Sequence, residues 1–370
     1  MSNEHKISTF PFGPQDVLLP EPIKFQFYVD GDKIIKVDPA IGYVHRGLER
    51  AAELNDYRRN LYLCERICGI CNVIHGQTYA GLIEKLTDTE IPERAEYLRT
   101  TWGELARLQS HLLWLGLFAE AVGFEELFLK IWRDREIILQ LNEATNGHRI
   151  HLGTTMIGGA VKDLDEKLAN KYLTDLELLK NQMDNWADFF RKDPEFLKKT
   201  VGIGLLPKKD AIHSGAVGPV IRASGIPQDM RTNGYQAYGK IDFEPITYDG
   251  CDVYSRALVR LDETYQSIEL IKQSLKQMPE GPIAVLCEEF PRGEVVYRTE
   301  QPRGEVFYYG KGNGTIHLER LKIRTPTMPN IPPLLTMLTG DYKQNIPAIV
   351  HSIDPCISCT ERITEIKEEN

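Results

Sequence analysis

The sequence contains no run of eighteen or more apolar residues, which excludes a membrane-spanning helix of ordinary length. It also lacks a positive excess. With 44 Lys and Arg against 53 Asp and Glu, the formal net charge is −9, and the basic face of a nucleic-acid binder is not expected. The first residues, "MSNEHKISTFPFGPQ", have neither the charged start nor the apolar centre of a secretory signal, so a cytoplasmic location is expected. No stretch reads as an interdomain linker. The tetrapeptide PRGE, at 291 and again at 302, is the sole internal repeat and is too short for a repeat architecture. Residues 1–370 are therefore expected to form one domain, and a hydrophobic share of 42% is enough for a sizeable core.

The periodicities predict a mostly helical α+β fold. Residues 23–39 alternate apolar and polar side chains around Asp30-Gly31, the pattern of a β-hairpin. Helical spacing begins after residue 55, and 76–89 reads as a helix directly following the first cysteine pair. In 91–123 Leu98, Trp102, Leu105, Leu108, Leu112 and Leu115 recur every three or four residues, with Pro92 in a first-turn position. Residues 125–147 read as a partner helix stopped at Gly147, and 162–192 and 251–278 as two more. The Gly- and Pro-rich passage 201–227 fits neither period. Residues 281–327, rich in Val, Tyr and turn glycines, predict a small sheet.

Seven cysteines stand at 64, 68, 71, 251, 287, 356 and 359. In a reducing compartment such clusters are more often metal ligands or redox groups than disulfides. Cys251 and Cys287 stand alone and are expected to be buried packing residues. Two CxxC pairs lie near the ends of the chain, in "CERICGICNVIHG" (64–76) and "DPCISCTER" (354–362), with 284 residues between Cys71 and Cys356. Structural zinc sites usually hold their two pairs about 15–20 residues apart, and a thioredoxin-like pair needs a βαβ context that 76–146 does not supply. Four thiolates can also hold an iron–sulfur cluster, or a soft metal with a second metal sharing two of the sulfurs.

The residues flanking the pairs narrow these alternatives. "RICGICNVIH" (66–75) and "DPCISCTER" resemble the two metal-binding motifs of nickel–iron hydrogenase large subunits. The resemblance is to the energy-converting, membrane-associated (group 4, Ech-type) enzymes related to the 49-kDa subunit of respiratory complex I. It continues through "FGPQ…LPEPI" (12–23), "HRGLE" (45–49), "SHLLWLG" (110–116), "GPVIRASG" (218–225), "DVYSRALVR" (252–260), "PRGE" (302–305) and "KIRTPT" (322–327). The complex I relatives have lost these cysteines, whereas this chain keeps both pairs.

The resemblance implies a fold with a helix-bundle core, a small N-terminal hairpin and a C-terminal β region. It also implies a Ni–Fe centre with carbon monoxide and cyanide on the iron, Cys68 and Cys356 as terminal nickel ligands, and Cys71 and Cys359 as bridging ligands. Cys64 matches no ligand and is expected to pack. Cys356 is the implied acceptor of the first proton when H2 splits heterolytically, a step that needs a metal pair and a nearby base. Arg324, in "KIRTPT", matches the arginine beside the metals, against the alternative of an ordinary surface ion pair. Glu21, 47 residues before Cys68, matches a proton-relay glutamate, although Asp16 stands where the family often has His. His75, one helical turn after Cys71, is placed to hydrogen-bond a bridging thiolate, or else to be a core histidine. Asp354 is expected to orient Arg324 or to cap a turn.

Glu49 matches a glutamate that binds an accessory magnesium or iron in other hydrogenases. The C-terminal histidine of those enzymes is Arg362 here, and arginine cannot ligate a cation; an ion pair between Glu49 and Arg362 is the alternative. His45 and Arg46 match the loop that approaches quinone in complex I and are expected at a subunit interface or proton path. Residues 363–370 correspond to a C-terminal extension removed after nickel insertion, or to a permanent end.

The implied function is the catalytic large subunit of an energy-converting hydrogenase. Its implied partners are an iron–sulfur small subunit, a ferredoxin-like subunit, complex I-like membrane subunits, ferredoxin and H2. It would lie on the cytoplasmic side of the membrane. The alternatives are a non-catalytic complex I-like scaffold or quinone-site subunit, and a zinc-stabilised structural protein.

Overall fold

The computed structural model describes residues 7–16, 19 and 21–360. Strands β1 (Ser8–Phe12), β2 (Lys24–Asp30) and β3 (Lys33–Ala40) form an antiparallel sheet in that order. The alternation in β2 turns Phe25, Phe27 and Val29 into the core, as period two requires. Helices α1 (Leu48–Leu54) and α2 (Asn60–Glu65) lead into α3 (Asn72–Leu86), the first long helix.

Helix α4 (Glu93–Ala121) is followed by α5 (Glu125–Asn146), which ends at Gly147 with φ 87°, a left-handed cap that glycine adopts without a Cβ clash. A short hairpin of β4 (Thr155–Met156) and β5 (Gly159–Ala160) precedes α6 (Glu166–Lys192). The irregular passage contains the short α7 (Pro194–Thr200), α8 (Lys208–His213) and α9 (Pro219–Arg222). Helix α10 (Val253–Gln277) starts where the Asp252 carboxylate accepts from Ser255 N at 2.8 Å. An antiparallel sheet of β6 (Arg292–Gln301), β7 (Gly304–Asn313) and β8 (Leu318–Arg324) follows, then α11 (Thr327–Leu338) and α12 (Ile346–Ser352).

Helix α4 is the axis of the molecule. It packs against α3, α5, α10 and α12, while α6 covers α5 and α10 and the β6–β8 sheet lies on α3. Leu98, Trp102, Leu105, Leu108, Leu112 and Leu115 are all fully buried, as their spacing predicts. Most of the rest of α4 is buried too, including Arg99, Glu104, Arg107 and His111, because partners pack around its length.

Burying these charges is tolerable only where each is paired. Arg99 meets Glu84 at 2.6 Å. Glu104 meets Arg107 and Arg231, each at 3.2 Å, and Arg231 meets Asp229 at 2.8 Å. Arg222 then gathers Asp229 at 3.1 Å, Glu263 at 2.8 Å and Glu300 at 2.8 Å. His111 Nε2 lies 2.8 Å from Glu263, and burial pushes its pKa down to about 4. Burial, helped by the Asp229 charge and opposed by Arg222, pushes Glu300 up to about 7.

The folded protein therefore favours protonated Glu300, and the stability this confers is lost as pH rises from 4.5 to about 7. The slope is at most about 1.4 kcal/mol per pH unit. Glu300→Gln removes the titration. Urea unfolding at about pH 5 and about pH 7 should show the wild type losing stability relative to the variant across that window. A difference independent of pH would contradict the assignment.

Candidate metal centre

The first CxxC occupies the tight passage between α2 and α3. Cys71 is the residue before α3, and its carbonyl accepts from His75 N at 3.0 Å, which starts the helix. Ile70 N points at Cys68 Sγ at 3.3 Å. Asn72 fastens the passage to the segment before β4, donating to Gly69 O at 2.8 Å and to Ile150 O at 3.0 Å. The second CxxC follows α12. Asp354 has φ 55°, a left-handed conformation that Asp tolerates better than most residues, and a 3-10 turn spans Ile357–Cys359.

The fold brings the two passages together. The sulfurs of Cys68, Cys71, Cys356 and Cys359 all lie within 4.8 Å of one another, and all four side chains are buried. Cys356 Sγ is 3.2 Å from Cys68 Sγ and 3.1 Å from Cys359 Sγ, and Cys71 Sγ is 3.6 Å from Cys359 Sγ. Arg46 clamps both passages, donating to the carbonyls of Arg66 at 3.1 Å, Ile67 at 2.7 Å and Ser358 at 3.4 Å. Thr327 Oγ1 accepts from Cys356 N at 3.1 Å, and Thr325 Oγ1 donates to the Cys359 carbonyl.

These sulfurs cannot all ionise unaided. Burial opposes ionisation of Cys71, but hydrogen bonds from Cys356, Cys359 and Cys68 outweigh it and hold that thiol well below the usual range. The Cys356–Cys359 hydrogen bond favours the Cys356 thiolate, yet the bonds to Cys68 and Cys71 and burial push it up. Hydrogen bonding to Cys356, Cys68 and Cys71, with burial, also pushes Cys359 up. A cation among the sulfurs is what would let Cys356 and Cys359 deprotonate as well. An all-sulfur donor set fits a soft or borderline metal such as nickel.

Arg303, in the second PRGE, is the guanidinium beside the thiols. Its Nη2 pairs with Asp354 Oδ1 at 2.8 Å, its Nε donates to the Asp354 carbonyl at 2.9 Å, and its Nη1 donates to Ser110 Oγ at 3.3 Å. Burial works against its charge, but Asp354 and the sulfurs of Cys356, Cys68 and Cys71 outweigh that and raise its pKa further. The turn carrying Arg303 rests on the GPVIRASG segment. A Cβ on Gly218 (φ 67°) would lie 2.3 Å from Arg303 O, and one on Gly304 (φ 130°) would lie 2.8 Å from Gly218 Cα, so both positions require glycine.

Arg324 is elsewhere, which corrects the expectation for it. It lies at the end of β8, pairs with Glu305 at 3.0 Å and stacks over Phe307 at 5.5 Å. The "KIRTPT" motif serves the centre through Thr325 and Thr327, and Asp354 orients Arg303. Nothing in the sequence separates the buried Arg303 from its exposed counterpart Arg292 in the first PRGE. The difference is a matter of packing.

Glu21 reaches the second passage, accepting from Ser358 N at 2.9 Å and from Ser358 Oγ. His75 Nε2 lies 3.6 Å from Cys359 Sγ, a thiol other than its sequence neighbour Cys71. Glu49 does not fit a metal site. Its carboxylate accepts from Ile323 N at 2.9 Å and faces Arg320 and Lys322, each at 3.8 Å, a cationic setting that would repel one. Among the described residues the four cysteines are the cluster that can hold a metal. Arg362 and residues 363–370 lie outside the described residues. His45 is exposed at the start of the Arg46 segment. Cys251 and Cys287 are half-exposed rather than buried, because each sits in a connecting segment; Cys251 donates to Asp249 O at 3.3 Å and Cys287 to Thr87 Oγ1 at 3.3 Å.

A cavity of about 390 Å³ opens onto one side of the centre. Cys68, Cys356, Arg303, Asp354 and Glu21 form its polar end, and Leu113, Trp114, Leu117 and Trp132 form its apolar wall. Cys71 and Cys359 do not line it. No described helix is long and apolar enough to cross a membrane.

Comparisons with known proteins agree with this geometry. The family model for the 49-kDa subunit of respiratory-chain NADH dehydrogenase matches residues 121–290 and 287–362, and that for nickel-dependent hydrogenases matches 46–118. The chain is 42% identical over 357 residues to the carbon monoxide-induced hydrogenase of Rhodospirillum rubrum, covering 96% of this chain and 99% of the relative. It is 36% identical to the membrane-bound hydrogenase subunit alpha of Pyrococcus furiosus, covering 97% of this chain and 88% of that one. A chain in the structure of the membrane-bound sulfane sulfur reductase, an archaeal respiratory membrane complex, superposes with a TM-score of 0.92. That match is 27% identical in sequence and covers 98% of this chain and 100% of that one. The chain belongs to the family of energy-converting, membrane-associated nickel–iron hydrogenase large subunits, related to the 49-kDa subunit of complex I.

Proposed function

We propose that this chain is the catalytic large subunit of an energy-converting nickel–iron hydrogenase and interconverts H2 with protons and electrons. The observation that carries this reading is the convergence of four buried thiols from two CxxC pairs 284 residues apart. A quinone-site scaffold has no chemical use for such a set. A purely structural zinc would not need a cavity reaching two of its sulfurs.

Cys68 and Cys356 would be terminal ligands, and Cys71 and Cys359 would bridge nickel and iron. The bound pair, with carbon monoxide and cyanide on the iron, would supply the Lewis acidity that polarises H2. The apolar wall of Trp114, Trp132 and the leucines gives a small apolar gas a place to collect. Cys356 Sγ, on the cavity wall, would take the first proton. Glu21, on the same wall and bonded to Ser358 two residues beyond Cys356, would carry it onward. Arg303, locked by Asp354 and Ser110, sets a fixed positive charge where negative charge develops.

The described residues hold no second cluster of metal-binding type, so electrons would leave through an iron–sulfur partner subunit. The matched relatives carry hydrogenase and membrane-complex names, which supports membrane partner subunits for this chain; ferredoxin would be the electron partner. The cytoplasmic side of the membrane is the location this arrangement favours. The long match to the 49-kDa subunit model favours a second reading, a complex I-like scaffold, which predicts no nickel.

Infrared spectroscopy of the purified complex, with loss of residues 363–370 checked by mass spectrometry, should show bands of metal-bound carbon monoxide and cyanide. Their absence from fully trimmed protein would overturn the proposal and favour the scaffold. Arg303→Leu should lower H2 turnover about 10²–10³-fold. Arg324→Leu should stay within about fivefold of wild type, as loss of a partly exposed ion pair implies; equal losses would refute the placement of the charge. Glu21→Gln should retain nickel and iron and slow H2/D2O isotope exchange by about 10²-fold. Unchanged exchange would remove Glu21 from the proton route.

A further inference from the structure

Helices α4 and α10 face each other rung by rung. His111 and Trp114, one turn apart on α4, meet Glu263 and Arg260, one turn apart on α10. His111 Nε2 lies 2.8 Å from Glu263, and the Arg260 guanidinium stacks 4.3 Å from the centre of the Trp114 ring. The preceding turn of α10 reaches the passage before the second CxxC, where Arg256 Nε donates to Ser352 Oγ at 2.9 Å. Trp114 Nε1 donates to His351 O at 2.7 Å, and Asp354 N donates to the same carbonyl at 2.9 Å. Arg260 therefore lies against Trp114, on the cavity wall, between the His111 rung and the segment that carries Asp354.

Three of these side chains are buried with polar atoms left over. Arg260 is fully buried, and its Nη1 donates to Arg256 O at 2.9 Å, while Nε and Nη2 have no hydrogen-bond partner among the described residues. Those two N–H groups share one edge of the guanidinium and point the same way, a fork that can close on a single oxygen. Asp354 gives Oδ1 to Arg303 and keeps Oδ2 unmatched, and His111 gives Nε2 to Glu263 and keeps Nδ1 unmatched. Burial keeps His111 neutral at pH 7, so with Nε2–H donated to Glu263 its Nδ1 presents a lone pair. Burial also pushes Arg260 down to about 10, and Asp354 is first among the charges that oppose this, as facing groups require. A buried polar atom without a partner is costly, and four on adjoining rungs point to a bound molecule.

We propose that Arg260, Asp354 and His111 enclose a buried water site beside Trp114, in which one water accepts from the Nε–Nη2 edge of Arg260 and donates to Asp354 Oδ2 and His111 Nδ1. The pattern of donors and acceptors selects water over an ion. An anion would suit Arg260 but meet the Asp354 carboxylate, and a cation would meet the guanidinium. Water offers two lone pairs and two O–H groups, which match the four atoms left over. Asp354 is then held at both oxygens, Oδ1 by Arg303 and Oδ2 by the water on Arg260. Arg260 is thereby a positioning residue for the guanidinium beside the thiols, and the water joins the His111–Glu263 pair to the centre by hydrogen bonds. The water site is independent of the reaction, whereas its effect on turnover rests on the hydrogenase reading.

Electron cryomicroscopy of the assembled complex, at a resolution that shows ordered waters, tests the site. An oxygen peak within about 3.2 Å of both the Arg260 edge and Asp354 Oδ2 is expected. A direct contact between Arg260 and Asp354, or a gap with no peak, would overturn the proposal. Arg260→Met should lose the peak and lower H2 turnover about 10–100-fold at unchanged nickel and iron content. Arg260→Lys, which restores a charged donor, should recover most of that turnover. Unchanged turnover in a fully loaded Arg260→Met, or equal losses in the two variants, would refute the positioning role. Should Arg260→Met fail to fold, the wild-type map alone decides. A wild type without bands of metal-bound carbon monoxide and cyanide would sink the hydrogenase reading instead, and the map would still judge the water site.

Discussion

Four sulfurs held within 4.8 Å of one another in a buried place repel once more than one is ionised, and burial alone already disfavours each charge. The arrangement holds only if the backbone carrying the sulfurs is fixed independently of them. Much of the neighbouring structure does this. Arg46 ties the carbonyls of both passages, Asn72 anchors the first to the segment before β4, and Thr325 and Thr327 hold the second at both cysteines. Each contact reaches the main chain, leaving the sulfurs free for a metal. A cation placed among them would turn the repulsion into ligation, which is why the thiol set points to a metal more strongly than any single cysteine does.

The same logic of paired burial explains the axis helix. Helix α4 is enclosed along most of its length, so its inner polar residues cannot turn to solvent and must find ions inside. The resulting network runs from Glu104 through Arg231, Asp229 and Arg222 to Glu263 and Glu300. Glu300 and Arg303 lie at the two ends of the turn between β6 and β7, and Arg107 holds the carbonyls of Glu300 and Gln301. The network therefore fixes the turn that delivers Arg303 to the thiols. Electrostatics in the core and charge at the centre are parts of one construction.

The long helices were legible because their apolar residues repeat at helical spacing and because end signals mark them, as at Pro92 and Gly147. The N-terminal hairpin and the β6–β8 sheet were legible from alternation and turn residues. β1 escaped because five residues containing Pro11 give no alternation of their own; it forms only by pairing with β2. α11 escaped because Pro332 and Pro333 lie inside it, and tertiary packing against β3 and α12 outweighs their cost. At the centre, the cysteines, Glu21, His75 and Asp354 converge from motifs visible in the chain. Arg303 could not be separated from Arg324 or Arg292 by composition, since which guanidinium meets the sulfurs depends on how the β6–β7 turn packs on Gly218. Tyr308, whose hydroxyl is 2.7 Å from His75 Nδ1, carries no motif at all and acquires its place only when β7 lies against α3.

The two sides of the centre differ in a way that bears on its chemistry. Cys68 and Cys356 face the cavity with Glu21, Arg303 and an apolar wall, whereas Cys71 and Cys359 lie off it, Cys359 beside His75, which meets Tyr308. A sulfur that must take and release a proton needs room and a carboxylate within reach, and the cavity side provides both. A sulfur proposed to hold two metals at a fixed spacing needs a constant donor strength, which a buried place away from the cavity provides. The proposed division into terminal and bridging thiols thus accords with which pair the fold leaves open to the cavity.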